Sequence, residues 1–282
     1  VLIMKSIFDN TSFECSKNVT KAYSTSFAMA VRMLAPSIRQ DIYNIYGFVR
    51  FADEIVDTFH DYNKKELFEL FEKDLSLAIK NKISLNPILN SFQHTVHKYQ
   101  IQNELINAFM KSMKMDLVKT KYDTFDEYNE YIYGSADVVG LMCLKVFVNG
   151  DNDKFKSLEY AAMRLGSAFQ KVNFLRDIKA DFDDLNRNYF PNADLKKFDE
   201  ESKANIIKEI EADFKVGYEG IINLPMEAKF GVYTAYIYYK KLLTKLKKTP
   251  SVEIKNTRIR VPNYQKYGLF AKCYFNYKLN LL

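Results

Sequence analysis

The residues of this chain best suited to chemistry are four aspartates in two pairs, Asp53 with Asp57 and Asp177 with Asp181. On a helix, a four-residue spacing puts both carboxylates on one face, about 6 Å apart along the axis. Like charges so placed repel by roughly a few tenths of a kcal/mol. A divalent cation converts that repulsion into binding, and Mg²⁺ favours a few carboxylates completed by substrate phosphate oxygens. Gln170 and Asn173 continue the stripe of the second pair, and Phe174, Leu175 and Ile178 lie off it. Arg50 stands just before Asp53, and Arg176 directly before Asp177. Either pair alone reads equally well as a solvated acidic face. The recurrence of the pattern, each time with an arginine in an otherwise apolar helix, favours a shared metal–diphosphate site. Glu54 lies off the face of its neighbours and is the weaker ligand.

Such residues need long helices to hold them, and the chain is written for helices. Nine Gly and six Pro among 282 residues are too few for an all-β chain with many turns. Periodicity predicts helices over 12–31, with a break near Tyr23–Phe27 where hydroxyls crowd, and from Pro36 to about Phe59. Others follow at 64–80, 86–99, 102–119, 125–147, 153–183, 199–223, 225–249 and 263–279. Asn63 with Glu66, and Thr124 with Glu127, have the spacing of capping boxes. Gly134 and Gly140 each cost roughly 1 kcal/mol inside a helix. Either close helix packing or room for a bulky ligand accounts for them. Residues 183–192 read as a loop. Strand signals are thin throughout, so the fold class is all-α, in a single domain over residues 1–282.

Composition narrows the function further. Hydrophobic residues make up 48%, as in a folded globular protein. The 42 Phe and Tyr residues could line a large cavity as well as fill a core. Cys15, Cys143 and Cys273 have no metal spacing, and no signal peptide precedes them, which suggests a reducing cytoplasm. No stretch is apolar for long enough to span a membrane. His94 and His97 lack further zinc ligands. Residues 240–282 hold eleven Lys/Arg against one acidic residue, leaving the rest of the chain at −4 out of a total of +6. That basic end reads as a solvated face, a contact for a diphosphate, or a peripheral anchor on the inner face of an anionic membrane. No nucleic-acid-binding module accompanies it.

Taken in order, several segments resemble the squalene/phytoene synthase family over roughly residues 20–265. They are Tyr23-Ser-Thr-Ser26-Phe27, Tyr46-x-x-x-Arg50 with Asp53-Glu-Ile-Val-Asp57, and Tyr131-x-Tyr133-Gly134 through Val139-Gly140. Next come Gln170-x-x-Asn173-x-x-Arg176-Asp177-x-x-x-Asp181, Arg187-x-Tyr189-Phe190-Pro191 and Arg258-Ile-Arg-Val261. One departure is Asn186, where many relatives have Gly. Asn tolerates a left-handed backbone, so the loop can accept it.

The resemblance implies a helical bundle of the isoprenoid synthase type with a central apolar cavity. It implies a prenyltransferase that condenses two prenyl diphosphates head to head, through a cyclopropylcarbinyl diphosphate. Asp53, Asp57, Asn173, Asp177 and Asp181 would hold two or three Mg²⁺ ions, with Mn²⁺ as a substitute. Arg50, Arg176, Arg187 and Arg258 would grip diphosphate, and Tyr46 and Tyr189 would donate hydrogen bonds. Ser26, Phe27 and Gln170 would border the site. Tyr131, Tyr133, Val139, Gly140, Ala162 and Gly166 would line the tails. The expected reaction joins two geranylgeranyl diphosphates to phytoene, a carotenoid precursor, without NADPH. The alternatives are squalene or dehydrosqualene formed from two farnesyl diphosphates, and a non-enzymatic all-α scaffold protein.

Overall fold

A computed structural model describes residues 2–183, 187–191 and 198–278, without the side chains of 2–3, 181–183 and 276–278. Thirteen α-helices and one π-helical turn make up the described chain. They are α1 (Leu2–Tyr23), α2 (Thr25–Arg32), α3 (Pro36–Asp57), α4 (Lys64–Asn81), α5 (Pro87–Tyr99) and α6 (Asn103–Met115). After these come α7 (Phe125–Ile132), the π turn (Tyr133–Asp137), α8 (Val138–Phe147) and α9 (Asn152–Asp183). The last are α10 (Glu200–Ile222), α11 (Met226–Lys248), α12 (Ser251–Asn256) and α13 (Asn263–Lys278). Among the described residues there is no sheet, only one isolated bridge between Lys121 and Asn188. The all-α class is therefore correct.

Local sequence explains most boundaries. Ser24 breaks the first helix and caps the second, accepting a 3.2 Å hydrogen bond from the Phe27 amide. Asn63 and Thr124 accept from the Glu66 and Glu127 amides, as the capping boxes predict. Three expectations need correction. First, α1 starts at Leu2, ten residues before the predicted start. Its buried stripe is Ser12, Ser16 and Thr20, all fully buried, rather than apolar residues. Ser16 shares a hydrogen bond with Ser91 of α5, and Asn90 donates to Ser12. A polar seam of this kind leaves no hydrophobic period to read. Second, the predicted helix 125–147 contains the π turn. There Gly134 lies so close to α6 that a Cβ would sit 1.9 Å from the Ser112 hydroxyl. Third, α12 forms after Pro250, where the prediction has none.

Two apolar cores lie along the chain. The first gathers α3 to α6 and α8 around Phe48, which stacks on Phe92 at 3.9 Å. The second gathers α7 and α9 to α11 around Val172, Leu175, Ile210 and Phe214. Helix α9 joins them, with Phe155 and Leu158 in the first core and Leu165 to Ile178 in the second. A buried ionic network pins α9 to its neighbours. Arg164 reaches Asp137 at 3.1 Å and Asp213 at 3.3 Å, and Lys171 reaches Asp213 at 2.7 Å.

Candidate active site

A cavity of about 870 Å³ opens between α2, α3, the π turn, α8, α9, α10 and α11. That is near the upper end of small-molecule sites. One face of α9 runs along it through Leu158, Ala162, Leu165, Phe169, Asn173 and Arg176. Eighteen residues separate Leu158 from Arg176, or about 27 Å of helix at 1.5 Å per residue. The stripe is apolar at its start and polar at its end, so the cavity suits a long hydrocarbon with a polar head. Ser26, Phe27, Tyr46, Val139, Gly140, Gly166, Gln170 and Arg258 also line it.

Close helix contact and ligand space turn out to share the same glycines. A Cβ on Gly140 would lie 3.0 Å from the Ala162 carbonyl oxygen, and one on Gly166 2.8 Å from that of Ala136. Their missing side chains thus let backbones meet at the cavity wall.

Arginines hold the acidic motifs. Arg50, Asp53, Asp57 and Asp177 do not themselves line the cavity, but Arg176 and Arg258, which do, join the second motif to its polar end. Arg50 pairs with Asp53 at 2.6 Å and also with Glu54, while its guanidinium lies 4.4 Å over the Tyr23 ring. Arg187 holds Asp57 at 2.6 Å. Asp177 is gripped by adjacent Arg176 and by Arg258, whose Nε lies 2.8 Å away. The C-terminal arginine thereby reaches the second motif from 81 residues beyond it. Tyr239 donates to the Asn173 side-chain oxygen Oδ1 at 3.4 Å and stacks on Phe169 at 4.1 Å.

Electrostatics mark the same place. Lost hydration, followed by the negative charge of Asp57, raises the Asp53 carboxyl to about 7 against the pull of Arg50. A third of its side-chain surface still meets solvent, so a hydrated cation can approach it. Burial lifts the Tyr46 phenol to about 12, which keeps it a hydrogen-bond donor at neutral pH. Its ring stacks on Phe27 at 4.7 Å.

The donor set fits magnesium. It consists of oxygen ligands alone, and the proton affinity that Asp57 induces in Asp53 is the repulsion a cation would relieve. Asp53, Asp57, Asp177 and Asn173 are the residues that would hold it. Among the described residues no three acidic, His or Cys side chains converge on one point, and arginines pair with Asp53, Asp57 and Asp177. The Asp181 side chain, and Asn186, lie outside the described residues.

Four residues expected around the tails or the diphosphate, Tyr131, Tyr133, Arg187 and Tyr189, do not line the cavity, and Arg187 instead bonds Asp57 of the first acidic motif. Tyr133 opens the π turn and is 40% exposed. Tyr131 and Tyr189 are buried in a stack with Tyr122 and Phe174, and Arg187 lies beside that stack. The π turn shifts the register of the helix after Ile132, so facing positions cannot be counted across it.

Sequence reading missed Asp116, Tyr239 and Lys266. Asp116 is buried, and its carboxyl is raised to about 7 by burial, although Arg187 and the Tyr131 hydroxyl oppose the rise. Lys266 lines the cavity and donates to Thr25. None of the three belongs to a repeated spacing, so no local signal marks them.

Comparison with known proteins decides the family. A sequence profile of squalene/phytoene synthases matches residues 20–265. The chain belongs to the squalene/phytoene synthase family. Members of that family are prenyltransferases, and this chain is an enzyme of the same class. A phytoene synthase of Arthrospira platensis is 27% identical over 279 residues, covering 90% of each chain. A chloroplastic phytoene synthase of Daucus carota is 26% identical over 83% of this chain, which spans 63% of the carrot protein's length. Among solved structures, a dehydrosqualene synthase in complex with ligand superposes with a TM-score of 0.82 at 20% identity, covering 96% of this chain and 98% of that one. The squalene synthase HpnC of Alicyclobacillus acidocaldarius gives 0.74 at 21%, covering 86% and 95%. These likenesses establish the isoprenoid synthase fold.

Proposed function

We propose that this chain, acting as one domain, condenses two prenyl diphosphates head to head by joining their C1 carbons. The observation that carries the reading is the long cavity, apolar at Leu158 and polar at Arg176, with Asp177 of the second acidic motif bonded to Arg176 and Arg258 of its lining. Bound magnesium would supply the charge neutralisation that lets diphosphate leave. Arg176 and Arg258, once drawn off Asp177, present forks that grip phosphate oxygens bidentately. Tyr46 adds a neutral donor. Phe27, Tyr46, Phe169 and Tyr239 offer ring faces to the allylic cation left behind, and the apolar wall excludes the water that would quench it. The alkene of the second substrate attacks that cation, and the adduct loses a proton as the ring closes, giving a cyclopropylcarbinyl diphosphate. Departure of the remaining diphosphate and rearrangement complete the C1–C1 bond, and loss of a second proton, or hydride addition from NADPH, discharges the final cation.

Two substrate lengths have support. The Arthrospira and carrot relatives favour the twenty-carbon diphosphate and phytoene. The fold likeness, with a dehydrosqualene synthase matched over nearly the whole chain, favours the fifteen-carbon one. Phytoene or dehydrosqualene would form without NADPH, and squalene with it. The basic C-terminal segment, where α13 exposes Tyr264, Tyr267 and Phe275, suits peripheral contact with an anionic membrane. Among the described residues no helix is long and apolar enough to cross one. Lipid products identified by mass after incubation with each diphosphate test the reading.

A further inference from the structure

Asp116 closes α6 and is only 9% exposed. A carboxylate taken from water is costly unless it is hydrogen-bonded. Its Oδ2 accepts from the Tyr131 hydroxyl at 2.7 Å and its Oδ1 from the Tyr122 hydroxyl at 3.5 Å. Its backbone carbonyl accepts from Arg187 Nη2 at 3.0 Å, while Arg187 Nη1 bonds Asp57 at 2.6 Å. The Arg187 fork therefore spans from Asp116 to the first acidic motif. The backbone adds to the same junction. The Tyr122 amide donates to the Asn188 carbonyl, and the Asn188 amide to the Thr120 carbonyl. The segment after α6 and the loop carrying Arg187 are thus joined at Asn188, between Arg187 and Tyr189.

We propose that Asp116 is a positioning residue that holds Arg187 and Tyr131 in place for binding of the diphosphate group at the first acidic motif. The inference rests on the prenyl-synthase reading for the identity of that group. Asp116 acts through two neighbours. Its carboxylate fixes the Tyr131–Tyr189 stack against which Arg187 lies, and its charge and carbonyl keep the guanidinium turned toward Asp57. Asp116 itself does not line the cavity.

The test uses the full chain with inorganic diphosphate and Mg²⁺ as the probe, by calorimetry, on wild type, Asp116→Asn, Tyr131→Phe and the double variant. Asp116→Asn is expected to weaken diphosphate binding about tenfold, the loss of one charge-assisted contact. The double variant is expected to be no weaker than the weaker single one, since both changes cut the same link. An unchanged affinity in Asp116→Asn, or losses that multiply in the double variant, overturns the proposal. A purely structural role would lower the folded fraction and the thermal midpoint without moving the affinity of the folded molecules. Should Asp116→Asn fail to fold, Tyr131→Phe breaks the same hydrogen bond from the other side, and wild-type affinity there is equally fatal. A wild-type chain that binds diphosphate but condenses neither prenyl substrate leaves the positioning role standing and removes the condensation reading. One that binds no diphosphate overturns both.

Discussion

Arg187 Nη1 and Asp57 Oδ1 lie 2.6 Å apart although 130 residues separate them in the chain. The loop after the second acidic motif thereby closes on the end of the first, and one guanidinium bonds Asp57 and the Asp116 carbonyl together. A lysine carries the same charge without the planar fork. Arg187→Lys should fold, yet lose about tenfold or more in kcat/KM, the worth of one hydrogen bond to a charged group. Steady-state kinetics beside a thermal melt measure both quantities.

The Asp53 carboxyl, raised to about 7 by burial and by Asp57, sets a pH dependence for magnesium. A group whose folded pKa is raised holds its proton until pH climbs past that value. Below about 7 a cation must displace the proton, and above it the site is already ionised. The Mg²⁺ concentration for half-maximal activity should therefore rise by up to about tenfold per pH unit as pH falls from 7 to 6. It should level off above pH 8. A flat response from pH 6 to 8 would contradict this role for Asp53.

Asp177 accepts from both Arg176 and Arg258. Asp177→Asn retains its shape but loses the charge that would hold magnesium, and should cost about 10²–10³-fold in kcat, the scale of losing one source of charge stabilisation for the departing diphosphate. Arg258 is about half exposed, so Arg258→Ala should change stability by less than about 1 kcal/mol. It should instead raise KM. Kinetics and denaturant melts on the two variants separate these effects.

Gly140 makes a test of packing. The position its Cβ would take meets the Ala162 carbonyl at 3.0 Å rather than open cavity. Gly140→Phe should therefore destabilise the fold by about 1–3 kcal/mol or more, as overpacking does, instead of shortening the product. A denaturant series would show the loss, and a stable variant with a narrowed product range would contradict it.

The fold was legible where the chemistry of individual residues is local. Ser24, Asn63 and Thr124 cap helices through bonds to amides three residues on. The acidic motifs stand out in the sequence because a fixed spacing on one helix predicts a shared face. Illegible features depend on contacts between distant segments. The seam of Ser12, Ser16 and Thr20 is polar, and so has no hydrophobic period. The π turn, where Gly134 lies close to Ser112, interrupts the helical period that would place Val139 and Gly140 relative to Tyr131. Asp116 gains its place only when Tyr131 and Arg187 arrive from elsewhere in the chain.

The central claim is head-to-head condensation at the polar end of this cavity. Purified protein with Mg²⁺ would be given the fifteen- and twenty-carbon diphosphates separately, with and without NADPH, and the extracted lipids identified by mass. A product holding two whole prenyl chains is expected from at least one substrate. Phytoene would assign the twenty-carbon substrate, and squalene or dehydrosqualene the fifteen-carbon one. Recovery of only unreacted diphosphate or the simple alcohol, under every condition, would contradict condensation.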